Sequence, residues 1–167
     1  MSHTLFTKDQ IQEKVRELAD EINSRHHMED DVVMICLLNG GMMFYTDLIR
    51  HIVLDIECDF MRAKSYASNS VQGEVFLSKD IETSIRDKHV YIVDDFYDTG
   101  NTIDVVIKYL ESKNPLSLTA VTLLIRDISP IPDFDLIKGF IIKDEWVVGY
   151  GLDNNKRERN LDFIYAL

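Results

Sequence analysis

Apolar residues recur at Ile11, Val15, Leu18 and Ile22, the spacing of one helical face, and a capping box formed by Thr7 and Gln10 precedes them. Phe6 and Ile11 fall at staple positions, so the pattern predicts an amphipathic helix over residues 8–24. After the polar stretch His26–Asp31 comes Val32–Leu38, a nearly continuous apolar run of the kind that forms a strand covered on both faces. Asn39-Gly40-Gly41 breaks it, and Met42–His51 reads as a short helix. Val53–Met61 is β-like. Ser65–Gly73 is small, polar and aperiodic, which predicts a mobile loop before the short apolar run Val75-Phe76-Leu77. Lys88–Val93 leads into a second buried-type strand, ended by Asp94 and Asp95. Thr102 is placed to cap a helix whose apolar positions are Ile103, Val106, Ile107 and Leu110, and Asn114-Pro115 stops it. Leu116–Ile125 is a further strand. Beyond it, Leu136–Ile142, Trp146–Leu152 and Leu161–Leu167 look like strands separated by polar turns.

Strands alternating with helices through residue 125 predict an α/β fold with a mainly parallel twisted sheet and helices on both faces. The 167 residues show no repeat, low-complexity tract or linker, so one domain over 1–167 is expected. A composition of 46% hydrophobic and 28% charged residues, with 3 Pro, excludes a disordered or fibrous chain. No apolar run approaches the ~18 residues of a membrane span, and the N-terminus has no secretion or transit pattern. Cys36 and Cys58 each sit in a β-like run and read as buried reduced thiols, which makes the cytoplasm the expected compartment. The adjacent His26 and His27 read as a solvated loop, because sequence neighbours rarely converge on one ion. A formal charge of -11 argues against a nucleic-acid face. An anionic substrate would have to be held by metal ions and backbone amides.

Chemistry concentrates in Val93–Thr102, VDDFYDTGNT, between a buried strand and an amphipathic helix. In doubly wound folds, ligands bind at such carboxyl ends of strands. Thr99, Gly100, Asn101 and Thr102 are small or hydroxylated residues in a turn that opens a helix, a geometry that aims amides at a phosphate. Asp94 and Asp95, adjacent on a strand, point to opposite sides and suit ribose hydroxyls and Mg²⁺ better than a shared phosphate. Asp98 sits where the loop turns, free to act as acid or base. A solvated turn with a helix cap is the bland alternative, but it has no need of three acids ahead of a phosphate cradle.

That string resembles the signature of type I phosphoribosyltransferases that binds phosphoribosyl pyrophosphate (PRPP), and among them the hypoxanthine-guanine branch. Other segments agree in the same order. Leu38-Asn39-Gly40-Gly41 is similar to the pyrophosphate loop, Lys64-Ser65-Tyr66 to the start of the closing loop, and Trp146–Asp153 (WVVGYGLD) to the purine-binding segment. Arg159 falls where the family keeps an arginine for pyrophosphate. The resemblance implies a small hood subdomain from the chain termini and an Mg²⁺-dependent transfer from PRPP to a 6-oxopurine in purine salvage. It also implies a homodimer or homotetramer.

By the same resemblance, Asp98 is the base facing purine N7. Asp94 and Asp95 hold the ribose and metal, and residues 99–102 cradle the 5-phosphate. Asn39, Gly40, Ser65, Tyr66 and Arg159 take pyrophosphate, Trp146 stacks on the purine while the Val147 backbone reads its edge, and Asp153 ligates a second Mg²⁺. The chain departs from the family at Asn39, where relatives carry Lys or Arg; at Asp94, where they carry Glu; and at Phe96-Tyr97, where they carry aliphatic residues. The lysine that reads the 6-oxo group has no clean counterpart, leaving Lys138 and Arg126 as candidates. Three alternatives share features of the string. One is a pyrimidine-attenuator-type RNA regulator, which tends to lack an acid at the Asp98 position. Another is a phosphoacceptor signalling domain, whose acid pair belongs near the N-terminus. The third is a transferase for another base such as xanthine.

Overall fold

The computed structural model describes residues 3–65 and 75–167. Its centre is a six-stranded sheet ordered β4-β3-β2-β5-β6-β7. The strands are β2 (Val32–Leu38), β3 (Ile56–Ser65), β4 (Val75–Lys79), β5 (His89–Tyr97), β6 (Ser117–Arg126) and β7 (Asp135–Ile142). All pair in parallel except β3 with β4. Because β2 is followed by β3 on one side while β5 lies on its other side, the chain reverses direction across the sheet between β2 and β5. A crevice opens outside the carboxyl ends of strands at such a reversal.

Both faces are covered, as the apolar runs require. Along β2, Val32, Met34 and Cys36 pack with α1 (Lys8–Ser24) and α2 (Met42–Ile49), whereas Val33, Ile35 and Leu37 pack with α3 (Asn101–Glu111). The Thr7 capping box forms as predicted, and Ile11, Val15, Leu18 and Ile22 are buried.

The chain ends meet in a second sheet, ordered β1-β9-β8, from β1 (His3–Phe6), β8 (Val147–Val148) and β9 (Ile164–Ala166). Val147 and Ile164 share the core of α1 and α2, so this sheet has no separate interior. The pattern does not predict β1, whose partner β9 lies at the far end of the sequence.

Several boundaries differ from expectation. β5 continues past Asp95 to Tyr97, because Phe96 and Tyr97 still pair with Leu124 and Ile125 of β6. α3 begins at Asn101 with Gly100 as its N-cap, so Thr102 lies inside the helix and does not cap it. The strand predicted over residues 146–152 shrinks to Val147–Val148, since Gly149, Tyr150 and Gly151 take positive φ of 103°, 50° and 101°. Cys36 is buried, but Cys58 is exposed; both are free. His26 is not a solvated loop residue: its side chain is 5% exposed, with Nε2 2.6 Å from Tyr91 Oη. None of the helices among the described residues is long and apolar enough to cross a membrane.

Candidate active site

Three segments converge where β2 and β5 end. A Cβ added to Gly40 would stand 2.2 Å from Asp95 Oδ2, and one added to Gly151 would stand 2.2 Å from the Gly40 carbonyl oxygen. Only glycine permits that approach, and Gly151 needs it twice over because its φ is +101°. The pyrophosphate-type loop, the acid pair and the 146–153 segment are thereby held in contact.

Two cavities flank the turn after β5. The smaller, about 130 Å³, is lined by Asp94, Thr99, Gly100, Thr102 and Ile103 together with Phe96, Tyr97 and Asp98. The larger, about 210 Å³, is lined by Asp95, Arg126, Trp146, Val147, Leu152 and Asp153, again with Phe96 and Asp98. Asp98 and Phe96 thus stand on the boundary between a helix N-terminus and an aromatic-walled hollow. Trp146 is 65% exposed, so its indole is not part of the core and its ring is open to a ligand.

Strand alternation sends Asp94 toward the smaller cavity and Asp95 toward the larger. Their carboxyls nevertheless remain close enough to perturb each other, and Asp94 Oδ1 accepts the Asp95 amide at 2.9 Å. Burial, and then the neighbouring Asp95 charge, push the Asp94 carboxyl well above the usual range. Burial raises Asp95 as well, against hydrogen bonding from Asp94 and the positive charge of Arg159.

Asp153 is held from both sides: Oδ1 lies 2.6 Å from Arg159 Nη2, and Oδ2 accepts the Lys156 amide at 2.6 Å. Arg159 also donates through Nη1 to the Gly151 carbonyl at 2.5 Å. Asn39 is exposed beside Gly40. Asn101 opens α3 behind Gly100, whose φ of 81° lets the chain turn sharply into the helix. Ser65 closes β3 opposite Val75, whereas Tyr66 and the rest of the predicted loop through Gly73 lie outside the described residues.

Of the two candidates for reading a 6-oxo group, only Arg126 reaches the hollow under Trp146. Its Nε donates to Asp98 Oδ1 at 2.7 Å, and its Nη1 donates to the carbonyls of Lys143 at 2.8 Å and Glu145 at 3.2 Å. Lys138 lines a different cavity of about 350 Å³, beside Pro130, Ile131 and Phe134. Sequence reasoning missed Ser129, whose hydroxyl donates to the Tyr97 and Asp98 carbonyls at 3.0 and 2.6 Å and so pins the turn. A lone serine in a Pro-rich turn gives no advance signal.

Residues 4–155 match the model of the phosphoribosyl transferase domain. The chain belongs to that family. Within it the chain falls in the hypoxanthine-guanine branch. It is 35% identical over 170 residues to a hypoxanthine-guanine-xanthine phosphoribosyltransferase of Tritrichomonas foetus, covering 100% of this chain and 92% of that one. It is 36% identical over 166 residues to the hypoxanthine-guanine phosphoribosyltransferase of Bacillus subtilis, covering 98% and 91%. The crystal structure of a hypoxanthine-guanine phosphoribosyltransferase from Bacillus anthracis superposes with a TM-score of 0.92 at 37% identity, covering 99% of this chain and 98% of that one.

Proposed function

We propose that this phosphoribosyltransferase acts as one catalytic unit over residues 1–167, moving the 5-phosphoribosyl group of PRPP to N9 of hypoxanthine or guanine. The products would be IMP or GMP and pyrophosphate, and the setting cytoplasmic purine salvage. The observation that carries the reading is the position of Asp98 between two cavities, one against the start of α3 and one beneath Trp146. A substrate with a phosphate at one end and a planar base at the other needs that pair of sites, with its ribose crossing between them.

In this reading the amides of residues 99–102 bind the 5-phosphate, aided by the positive end of α3. Trp146 stacks on the purine, the Val147 backbone meets its edge, and the Arg126 guanidinium donates to the 6-oxo oxygen. Asp98 takes the proton from N7 as the bond between C1′ and N9 forms and the bond to pyrophosphate breaks. Gly40 leaves room for pyrophosphate beside Asn39, Arg159 balances part of its charge, and Ser65 and Tyr66 are assigned to pyrophosphate by the family resemblance alone. The three-stranded sheet of the chain ends serves as the hood over the base. A homodimer or homotetramer is the expected assembly.

The acids at 94, 95 and 153 offer only oxygen donors, the type Mg²⁺ takes, and the raised pKa of each member of the buried pair marks a place where a cation relieves like-charge repulsion. Bound there, Mg²⁺ would offset the negative charge that gathers on the leaving pyrophosphate.

Recognition of xanthine as well is the second reading, favoured by the Tritrichomonas foetus relative that carries xanthine in its name. The test is a base panel of hypoxanthine, guanine, xanthine, adenine and uracil, with Mg²⁺, PRPP and a pyrophosphate-release readout. Turnover with the first two supports the proposal, and turnover with xanthine in addition supports the second reading. Silence with every purine overturns both.

A further inference from the structure

At the amino ends of the strands, opposite these cavities, His26, Asp30 and His89 converge, with one ligand atom from each lying within 4.8 Å of the others. The three come from two places in the chain, the turn after α1 and the first residue of β5. We propose that this cluster is a transition-metal site, selective for Zn²⁺ or a similar nitrogen-seeking divalent cation, and separate from the Mg²⁺ site proposed at the carboxyl ends of the strands.

The outer hydrogen bonds present one lone pair from each imidazole. His26 Nε2 lies 2.6 Å from the buried Tyr91 hydroxyl, which leaves Nδ1 directed at Asp30 Oδ2, 3.3 Å away. His89 Nδ1 lies 2.7 Å from Ser117 Oγ, which leaves its Nε2 available. Metal-bound histidines commonly have the second ring nitrogen anchored in this way, which fixes tautomer and ring orientation. Asp30 is oriented too, because its Oδ2 accepts the His27 amide at 2.9 Å.

Distances agree with a small ion. Metal bonds of about 2.0–2.1 Å in a tetrahedron set neighbouring ligand atoms roughly 3.3 Å apart. The His26–Asp30 edge already has that length. The His89 nitrogen lies within 4.8 Å of the other two ligand atoms, and His89 is half-buried at the start of its strand, so an ion would draw it inward by an ångström or so about the Ser117 hydrogen bond. Two imidazoles and one carboxylate leave a fourth position for water.

The donor set also decides which ion enters. Imidazole favours Zn²⁺, Co²⁺, Ni²⁺ and Cu²⁺, whereas Mg²⁺ prefers all-oxygen sites. An ion here would tie the turn after α1 to β5, where the His89 amide already bonds to the Asp31 carbonyl at 2.9 Å. Its consequence is therefore stability at the amino ends of the strands, not turnover.

The experiment is a Co²⁺ titration of chelator-treated full-length protein, followed by visible absorption, alongside melting curves with Zn²⁺. One equivalent of Co²⁺ should give the strong visible bands of tetrahedral coordination. Zn²⁺ at a hundredfold excess over its Kd should raise Tm by about 5–10 °C. His89→Ala and Asp30→Asn should each weaken Co²⁺ binding tenfold or more while leaving phosphoribosyl transfer unchanged. Asp153→Asn should leave the absorption bands intact. Circular dichroism before titration separates lost binding from lost folding. Absence of tetrahedral bands in the wild type, or bands indifferent to both His89→Ala and Asp30→Asn, overturns the proposal.

Discussion

Arg126 donates from Nε to Asp98 Oδ1 at 2.7 Å while the same guanidinium, through Nη1, holds the Glu145 carbonyl just ahead of Trp146. One side chain, only 10% exposed, therefore links the proposed proton acceptor to the wall on which a base would stack. The guanidinium also lies over the Phe96 ring, 5.2 Å from its centroid, which fixes its plane. The guanidinium and the carboxylate are aligned before any ligand arrives.

Removing the carboxylate tests its role directly. Asp98→Asn keeps a hydrogen-bonding group of the same shape but cannot take a proton from N7. We expect kcat to fall by roughly 10²–10⁴-fold with Tm within a degree or two of wild type, measured by IMP formation and calorimetry. Near-normal kcat in the Asp98→Asn variant would assign the proton elsewhere.

Replacing the guanidinium separates positioning from charge. Arg126→Met should raise KM for the base about tenfold or more and lower kcat, with KM for PRPP nearly unchanged. Arg126→Lys keeps the charge but loses the planar fork that spans Asp98, Lys143 and Glu145, so it should recover only part of the activity. Steady-state kinetics with each substrate varied in turn gives both constants.

The contact between Gly151 and Gly40 predicts a joint loss. Gly151→Ala places a methyl 2.2 Å from a backbone oxygen at a φ of +101°, where L residues are strained. Backbone strain alone costs roughly 1–3 kcal/mol. The variant should melt several degrees lower and show a raised KM for PRPP, since the shifted loops are those proposed to hold pyrophosphate. A thermal melt and a PRPP saturation curve check the two effects.

Acid stability should report on Asp59, a buried carboxylate on β3. Burial alone would raise its pKa, but amides of Thr83, Phe60 and Glu82, at 2.8, 2.7 and 2.7 Å, outweigh burial and hold it below the usual range. A group depressed on folding contributes its full stability above its unfolded pKa, about 3.9, and loses it as pH falls through the lower folded value. Asp59→Asn should therefore melt well below wild type at pH 6, with the gap narrowing as pH drops below about 4. Hydrogen bonds to a charged group suggest a gap of about 1.5–3 kcal/mol at neutral pH. Parallel melts of the two proteins from pH 3 to 6 measure it.

Much of the architecture is legible in local pattern. α1 is written in its capping box and four-residue apolar spacing, and β2 in an unbroken apolar run, because each signal depends only on neighbours in sequence. The turn at 99–102 that opens α3 is legible for the same reason, as one contiguous string. What escapes is nonlocal. β1 exists because β9, at the other end of the chain, offers it an edge. Ser129 matters because it folds back on Asp98, and His26 because it meets His89 and Tyr91 rather than His27. Lys138 and Arg126 look equivalent along the chain; both line the cavity beside Pro130, but only Arg126, at the carboxyl end of β6, also reaches the hollow beneath Trp146.

The continuation of β5 through Tyr97 limits where this chain tolerates a change of length. Phe96 and Tyr97 are locked in step with Leu124 and Ile125, so one residue added between Val93 and Asp94 would exchange the cavities that Asp94 and Asp95 serve. The turn between β6 and β7 carries no such restriction at Pro130–Pro132, so loop insertions should accumulate there while the acid-bearing strand keeps a constant length.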